Sequence, residues 1–228
     1  MYFGLQKLTL LDFPGRVACT VFTKGCDLRC PFCHNASLVV SPDPDGFSED
    51  ELLKFLESRK GVLDGVCITG GEPTIYPLLP DMIADMHRLG YAVKLDTNGT
   101  RPDVLAGLME SKSVDYVAMD IKNSPDGYAE TVGIRNFDLT PIRESVELLR
   151  GGDVKFEFRT TVVKEFHNAE RMEAIADWLA GEEAYFLQQF VDSGDLIQSG
   201  LNGCSKEEME QFRRLMAPKL PNIQLRGV

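Results

Sequence analysis

The chain carries the sequence Cys-Asp-Leu-Arg-Cys-Pro-Phe-Cys at positions 26–33, shortly after the apolar run 17–22. Cys26, Cys30 and Cys33 therefore share one short loop in a C-x3-C-x2-C spacing. Three thiolates can hold three irons of a cubane iron–sulfur cluster and leave the fourth iron without a protein ligand. An open metal position distinguishes a catalytic metal site from a closed structural one. The spacing therefore predicts a catalytic iron–sulfur site.

A structural zinc site is the alternative for this loop, with His34 as a fourth ligand. Zinc sites usually combine two distant pairs of ligands, and the sequence offers no second pair. Cys19 and Cys67 lie in apolar, strand-like runs, which predicts buried thiols, and Cys204 receives no role. A disulfide framework is not expected in a chain of 228 residues whose first residues do not resemble a secretion signal.

Composition describes an ordinary globular protein, and we predict one domain over residues 1–228. The net charge is −11, which argues against a partner bound through nucleic-acid phosphates, because that binding needs a basic surface. No apolar run approaches the roughly 18 residues that a membrane span needs. The sequence therefore predicts a cytoplasmic protein with neither a nucleic-acid partner nor a membrane partner.

Apolar runs alternate with amphipathic helical patterns along the chain. Six strands are predicted at 16–23, 65–69, 91–95, 115–119, 154–163 and 184–191, with a further short strand at 222–225. Helices are predicted at 48–60, 78–89, 102–111, 141–150, 169–179 and 205–216, and a loop is predicted at 41–46. Capping boxes begin two of these helices, at Ser48 with Glu51 and at Ser205 with Glu208. This alternation predicts an α/β fold with a parallel sheet or barrel.

Unusual residues follow the carboxyl ends of several predicted strands. They are the cysteine loop, the stretch 69–73 (Thr-Gly-Gly-Glu-Pro), the stretch 96–99 (Asp-Thr-Asn-Gly) and the stretch 120–122 (Asp-Ile-Lys). Taken alone, the second and third stretches would be turns, and the fourth a solvated strand end. Parallel α/β folds carry their active sites at this edge of the sheet, so we expect these stretches to form one site.

The cysteine loop, with Phe32 before its last cysteine, and the Gly-Gly-Glu-Pro stretch together resemble the radical S-adenosylmethionine superfamily. The resemblance implies an α/β fold of the open (β/α)6 partial TIM barrel type, with parallel strands. It also implies a [4Fe–4S] cluster on Cys26, Cys30 and Cys33. S-adenosylmethionine would bind the open iron, and an electron from the cluster would cleave it to a 5′-deoxyadenosyl radical.

Further stretches extend the resemblance to the glycyl-radical-enzyme activases. These stretches lie at 12–16, 25–26, 33–35, 95–99, 120–122 and 159–163, within a match from about Leu5 to Val191. The group implies a protein substrate, whose backbone glycine loses a hydrogen atom. It also implies a flavodoxin or ferredoxin-type electron donor.

The resemblance relates each remaining site residue to S-adenosylmethionine. Phe32 would lie by the adenine, and Gly70, Gly71 and Glu72 would hold the methionyl amine. Asp96 and Thr97 would bind a monovalent cation beside the methionyl carboxylate. Asp120, Lys122 and Arg159 would line the rest of the pocket, and Arg159 would form a charge-assisted hydrogen bond to a carboxylate. No role follows for His34 or Asp12.

Two departures narrow the expected substrate. Ala118 stands where the pyruvate formate-lyase activator has a cation-site methionine, and the stretch 187–191 lacks that activator's histidine. In both features the chain resembles the activators of anaerobic ribonucleoside-triphosphate reductase. Activation of that reductase is therefore the predicted function. The alternatives are an activase of the pyruvate formate-lyase type, a radical enzyme acting on a small molecule or peptide, and an electron carrier or zinc-stabilised module.

Overall fold

The structure, a computed structural model, describes residues 2–40, 46–182 and 184–228. Its strands are β1 (Tyr2–Thr9), β2 (Ala18–Thr23), β3 (Phe47–Ser48), β4 (Gly65–Gly70), β5 (Ala92–Thr97), β6 (Tyr116–Asp120), β7 (Lys155–Val162), β8 (Tyr185–Gln189) and β9 (Gln224–Arg226). Its helices are α1 (Ala36–Val40), α2 (Glu49–Ser58), α3 (Leu79–Arg88), α4 (Pro102–Glu110), α5 (Tyr128–Thr131), α6 (Thr140–Gly151), α7 (Ala169–Trp178) and α8 (Lys206–Met216), and a 3-10 turn covers Pro73–Ile75. The loop predicted at 41–46 lies, apart from Gly46, outside the described residues.

The strands follow the order β3-β1-β2-β4-β5-β6-β7-β8-β9, so the sheet is open. Parallel pairing joins β2 to β4 and β4 to β5, and likewise β7 to β8 and β8 to β9. This confirms the predicted α/β class with an open, mostly parallel sheet. The opening segment, predicted only as extended, is β1, which pairs antiparallel with β2 and with the two-residue strand β3.

The chain divides into two compact units. The first consists of residues 1–27, 37–118 and 141–155, and the second of residues 28–36, 119–140 and 156–228. Strand β6 begins in the first unit and ends in the second. The prediction of one domain over residues 1–228 stays a prediction.

The first unit is built on β2, β4 and β5, whose residues are mostly buried. Cys19 and Cys67 are fully buried there, as predicted. Helix α2 begins at the predicted capping box of Ser48 and Glu51 and buries Leu52. A fully buried leucine of this kind contributes about 1.5–3 kcal/mol to stability.

The second unit contains a group of packed aromatic side chains. Tyr128 stacks on Phe137 with ring centroids 5.6 Å apart and meets Trp178 edge-on at 6.4 Å. The second predicted capping box, Ser205 with Glu208, is present at the start of α8. Among the described residues, no helix is both long and apolar enough to cross a membrane.

Candidate active site

The two glycines after β4 allow a close approach to the segment that leads into the cysteine loop. The backbone N–H of Gly71 donates to the carbonyl of Thr23 at 2.9 Å, and that of Glu72 donates to the carbonyl of Gly25 at 2.8 Å. A Cβ atom on Gly71 would overlap the carbonyl oxygen of Gly25, and Gly70 adopts φ +115°. Both positions therefore need glycine for packing, and their predicted contact with a ligand stays a prediction.

Glu72 is only 1% exposed, and its carboxylate accepts four hydrogen bonds. Thr74 donates from its N–H at 3.1 Å and from its hydroxyl at 2.6 Å. The Thr97 hydroxyl donates at 2.7 Å and the backbone N–H of Asn98 at 2.6 Å. Burial raises the pKa of Glu72, and these hydrogen bonds oppose the rise. The carboxylate therefore ties the end of β4 to the end of β5, and its predicted contact with the methionyl amine stays a prediction.

Asn98 connects the turn after β5 to the cysteine loop. Its side-chain amide lies 3.7 Å from the Sγ of Cys26 and 3.1 Å from the Asp27 carboxylate. The Thr100 hydroxyl donates to the same carboxylate at 2.7 Å. Asn98 lies in the stretch 96–99 but has no role predicted from the sequence. Its position just after a strand, beside Asp96 and Thr97, was the available signal.

Strand β5 runs two residues further than predicted, so Asp96 and Thr97 are its last residues. Lys94, on the same strand, forms an ion pair with Asp96 and is almost completely buried. The Thr97 hydroxyl, which donates to Glu72, also accepts from the N–H of Gly99 at 3.1 Å. Lys94 is predicted from the sequence only as a strand residue, although a lysine inside the apolar run 91–95 was a usable signal.

In the second unit, Asp120 at the end of β6 pairs with two cations. Its Oδ1 accepts from Arg159 at 3.0 Å (Nε) and 2.9 Å (Nη2), and its Oδ2 accepts from the Lys122 ammonium at 3.0 Å. Burial alone would raise the pKa of Asp120, but the charges of Arg159 and Lys122 outweigh it and lower the pKa to about 2. The structure thus brings together three of the predicted site residues as one charged cluster.

His167 holds the backbone of Lys122 in place. Its Nδ1 accepts from the N–H of Val163 at 3.0 Å, so its Nε2 carries the proton and donates a hydrogen bond to the Lys122 carbonyl at 3.0 Å. Burial lowers the pKa of His167 to about 4, which keeps the ring neutral near pH 7. The sequence predicted an ordinary loop here, and the 4% exposure of His167 was not foreseen.

Cys30, Phe32 and Cys33 follow within the cysteine loop. Burial raises the pKa of the Cys30 thiol to about 11, and the positive charge of Lys122 opposes the rise. Phe32 is buried against Phe166 and Phe190, with ring centroids 5.9 and 6.5 Å apart. Its predicted place beside the adenine stays a prediction.

His34 contacts the segment that follows β8. The Nε2 of His34 lies 2.8 Å from the carbonyl of Val191, and the ring lies 5.1 Å from that of Phe190. Cys204, which also has no predicted role, is buried, and the Gln189 amide donates to its carbonyl at 2.7 Å. Both sets of contacts are accounted for by packing and backbone hydrogen bonds.

The donor set of the loop fits an iron–sulfur cluster. Cys26, Cys30 and Cys33 are all free thiols, and soft thiolate ligands favour such clusters. Among the described residues, no three His, Cys, Asp or Glu side chains are already gathered as a metal site. The positive charge of the iron ions in a bound cluster would stabilise the thiolate form of these cysteines, as metal ions do for coordinating thiols.

A cavity of about 1860 Å³ lies elsewhere in the first unit. It is lined at the amino ends of strands, for example by Asp64 before β4, Tyr116 at the start of β6 and Lys155 at the start of β7. None of the predicted site residues lines it. Its position, opposite to the edge where parallel α/β folds place their chemistry, argues against it as the active site.

Comparison with known proteins identifies the family. Residues 20–179 match the Radical SAM superfamily. The chain is 30% identical to a Methanocaldococcus jannaschii protein named "Putative glycyl-radical enzyme activating enzyme", over 99% of this chain and 95% of that one. It is 32% identical to the pyruvate formate-lyase-activating enzyme of Clostridium pasteurianum, over 59% of each chain.

Solved structures show the same fold. SuiB of Streptococcus suis, bound to the precursor peptide SuiA, aligns with a TM-score of 0.70 at 16% identity, over 91% of this chain and 48% of SuiB. Archaeal TYW1 aligns with a TM-score of 0.60 at 14% identity, over 89% of this chain and 72% of that one. This chain thus spans about half the length of SuiB. The chain belongs to the radical SAM superfamily and is a homologue of its glycyl-radical enzyme activating enzymes.

Proposed function

We propose that the protein activates a glycyl-radical enzyme, namely anaerobic ribonucleoside-triphosphate reductase. Cys26, Cys30 and Cys33 hold a [4Fe–4S] cluster, and S-adenosylmethionine binds beside it. When bound, the cluster supplies the electron that cleaves S-adenosylmethionine, and the resulting 5′-deoxyadenosyl radical removes a hydrogen atom from a backbone glycine of the partner. A flavodoxin or ferredoxin-type protein delivers the electron.

One observation carries this proposal: the similarity to the Methanocaldococcus jannaschii protein extends over nearly the whole of both chains. A match of this extent includes the parts of the chain outside the cysteine loop. The choice of the reductase is supported by Ala118 and by the stretch 187–191, which lacks a histidine.

The chain's own residues supply binding and orientation. The Asp120–Arg159–Lys122 cluster offers one anion and two cations, of which Lys122 is 17% and Arg159 12% exposed in the side chain. Such a cluster can accept from ribose or amine groups and donate to a carboxylate. Because Arg159 and Lys122 keep the pKa of Asp120 near 2, the carboxylate accepts hydrogen bonds at any physiological pH.

The test is anaerobic. Cluster-loaded protein, reductant and S-adenosylmethionine are mixed with a candidate glycyl-radical enzyme, and electron paramagnetic resonance detects the glycyl radical. We expect the radical on anaerobic ribonucleoside-triphosphate reductase. A radical on pyruvate formate-lyase alone would transfer the proposal to that type of activase. Cleavage of S-adenosylmethionine with no radical on any glycyl-radical enzyme of the source organism would contradict activation altogether.

Matched cysteine variants control the experiment. Cys30→Ala should abolish the formation of 5′-deoxyadenosine, because the cluster loses a ligand. Cys19→Ala removes another buried thiol, on β2 and outside the loop, and should retain turnover. Retained turnover in Cys30→Ala would contradict the proposed ligand set. If the wild-type protein did not cleave S-adenosylmethionine at all, it would instead be an electron carrier or a structural module.

A further inference from the structure

Lys94 is a charged residue in an apolar part of β5. Its neighbours Val93 and Leu95 are fully buried, and Lys94 itself is 2% exposed. Parallel strands covered on both faces normally read as continuous apolar runs. A buried ammonium is unfavourable unless a negative group compensates it. The fold alone therefore gives no reason for a lysine at this position.

Asp96 provides the compensation. Residues i and i+2 share one face of a strand, and the Nζ of Lys94 forms an ion pair with the Oδ1 of Asp96. The Nζ also lies 3.8 Å from the Sγ of Cys67, the residue opposite Lys94 in the register of β4 and β5. The Asp96 side chain is 13% exposed and that of Lys94 only 2%, so the ammonium reaches the carboxylate from the protein interior.

These contacts do not fit the monovalent cation that the family resemblance implied at Asp96 and Thr97. The Asp96 carboxylate already pairs with an ammonium. The Thr97 hydroxyl donates to Glu72 and accepts from Gly99. Ala118 offers no side-chain ligand at the position where the pyruvate formate-lyase activator has a cation-site methionine.

We propose that the ammonium of Lys94 takes the place of a monovalent cation, so that the protein binds S-adenosylmethionine without added Na⁺ or K⁺. The inference rests on the proposed function in one respect, namely that the methionyl carboxylate binds near Asp96. An uncompensated Asp96 would repel that carboxylate. Lys94 is a positioning residue, since it acts by neutralising Asp96 and not by contact with the reacting atoms.

Binding measurements test this directly. The dissociation constant of S-adenosylmethionine is measured with cluster-loaded protein by equilibrium dialysis, at one ionic strength, in sodium, potassium and choline chloride. The wild type should bind equally in all three salts. Lys94→Met should bind S-adenosylmethionine about tenfold more weakly in choline chloride, because Asp96 is left without its partner and repels the methionyl carboxylate. Its affinity should recover in sodium or potassium chloride, because either cation can neutralise Asp96.

Lys60→Met is the matched control, since Lys60 pairs with Glu57 on the surface. It should bind like the wild type in every salt. Weaker wild-type binding in choline, or a Lys94→Met variant that ignores the choice of salt, would overturn the proposal.

A second variant covers the possibility that Lys94→Met does not fold. Lys94→Met combined with Asp96→Asn removes both charges, so its binding should also be independent of the salt, and a dependence on sodium or potassium would overturn the proposal. Because no partner protein takes part in these measurements, they remain decisive if glycyl-radical formation fails. The glycyl-radical assay in turn does not depend on their outcome.

Discussion

The side-chain amide of Asn98 lies 3.7 Å from the Sγ of Cys26, while the backbone N–H of Asn98 donates to Glu72. One residue after β5 thus contacts both a cysteine of the loop and the buried carboxylate of the Gly-Gly-Glu-Pro stretch. Hydrogen bonds to cysteine sulfurs are among the factors that set the reduction potential of iron–sulfur clusters. Asn98 is therefore placed to tune a cluster bound at this loop.

Replacing Asn98 with leucine should lower the reduction potential of the cluster. The N–H···S contact favours the more negative reduced state, so its loss should shift the potential downward by the order of tens of millivolts. A redox titration monitored by electron paramagnetic resonance measures the shift. Thr100→Val removes the hydroxyl hydrogen bonds to Asp27 and to the Asn98 side-chain oxygen, but it leaves the Asn98 amide N–H and the backbone N–H of residue 100 that donates to that oxygen, so it should move the potential less. An unchanged potential in Asn98→Leu would show that the contact has no electronic role.

Gly71→Ala should disturb the start of the cysteine loop. The added Cβ would overlap the carbonyl oxygen of Gly25, and backbone must shift to relieve the overlap. We expect a loss of about 1–3 kcal/mol in unfolding free energy, together with less iron bound per chain. Gly107→Ala is the control, because Gly107 lies in α4 with nothing near its Cβ position, and it should stabilise the protein by about 0.5–1 kcal/mol. Equal iron content in both variants would contradict the prediction.

Arg159→Met should destabilise the second unit near neutral pH. The pKa of Asp120 is lowered to about 2 in the folded protein, so its contribution to stability is present above the ordinary carboxyl pKa and is lost as the pH falls towards 2. Removing Arg159 leaves Lys122 as the partner, and we expect a loss of about 1–2 kcal/mol at pH 7, because Asp120 is partly exposed.

Chemical denaturation at several pH values measures this loss. The gap between the wild type and Arg159→Met should narrow as Asp120 becomes protonated in both proteins. Arg159→Lys retains a cation but not the two-point contact and should fall between them. A gap that is constant down to acid pH would mean that Arg159 stabilises the protein by packing alone.

Because His167 is buried as a neutral ring, the folded protein should lose stability in mild acid. Its pKa is lowered to about 4 in the folded protein, so its contribution is complete above the ordinary histidine pKa and declines as the pH falls through 6.5 towards 4. The decline should reach about 3 kcal/mol for a shift of this size. His167→Gln should lack this part of the pH dependence, and His87→Gln, a change at an exposed residue of α3, should retain it. Parallel pH profiles for all three proteins would contradict the prediction.

Much of the fold was predictable because its signals are local. Apolar runs located β2 and β4 to within two residues, and the capping boxes at Ser48 and Ser205 marked the starts of α2 and α8. The antiparallel pairing of β1 and β3 was not predicted. A two-residue strand has no periodicity to detect, and an extended segment does not reveal its partner.

Residue types in the site were predictable, but their contacts were not. Glu72 was identified by its motif, yet its donors Thr97 and Asn98 lie 25 and 26 positions later in the chain. Lys94 and His167 are polar residues buried by tertiary packing, and that burial depends on strands and loops distant in sequence. Sequence patterns give the periodicity of one element and not the side chains that another element brings against it.

The four hydrogen bonds to Glu72 also bear on the thermodynamics of binding. They fix the turn after β4 and the end of β5 within the protein itself, so those backbone torsions are already restricted before any ligand arrives. The conformational entropy of these residues is therefore lost during folding and not during association. Ligand binding to the first unit should accordingly carry little ordering entropy from the residues around Glu72.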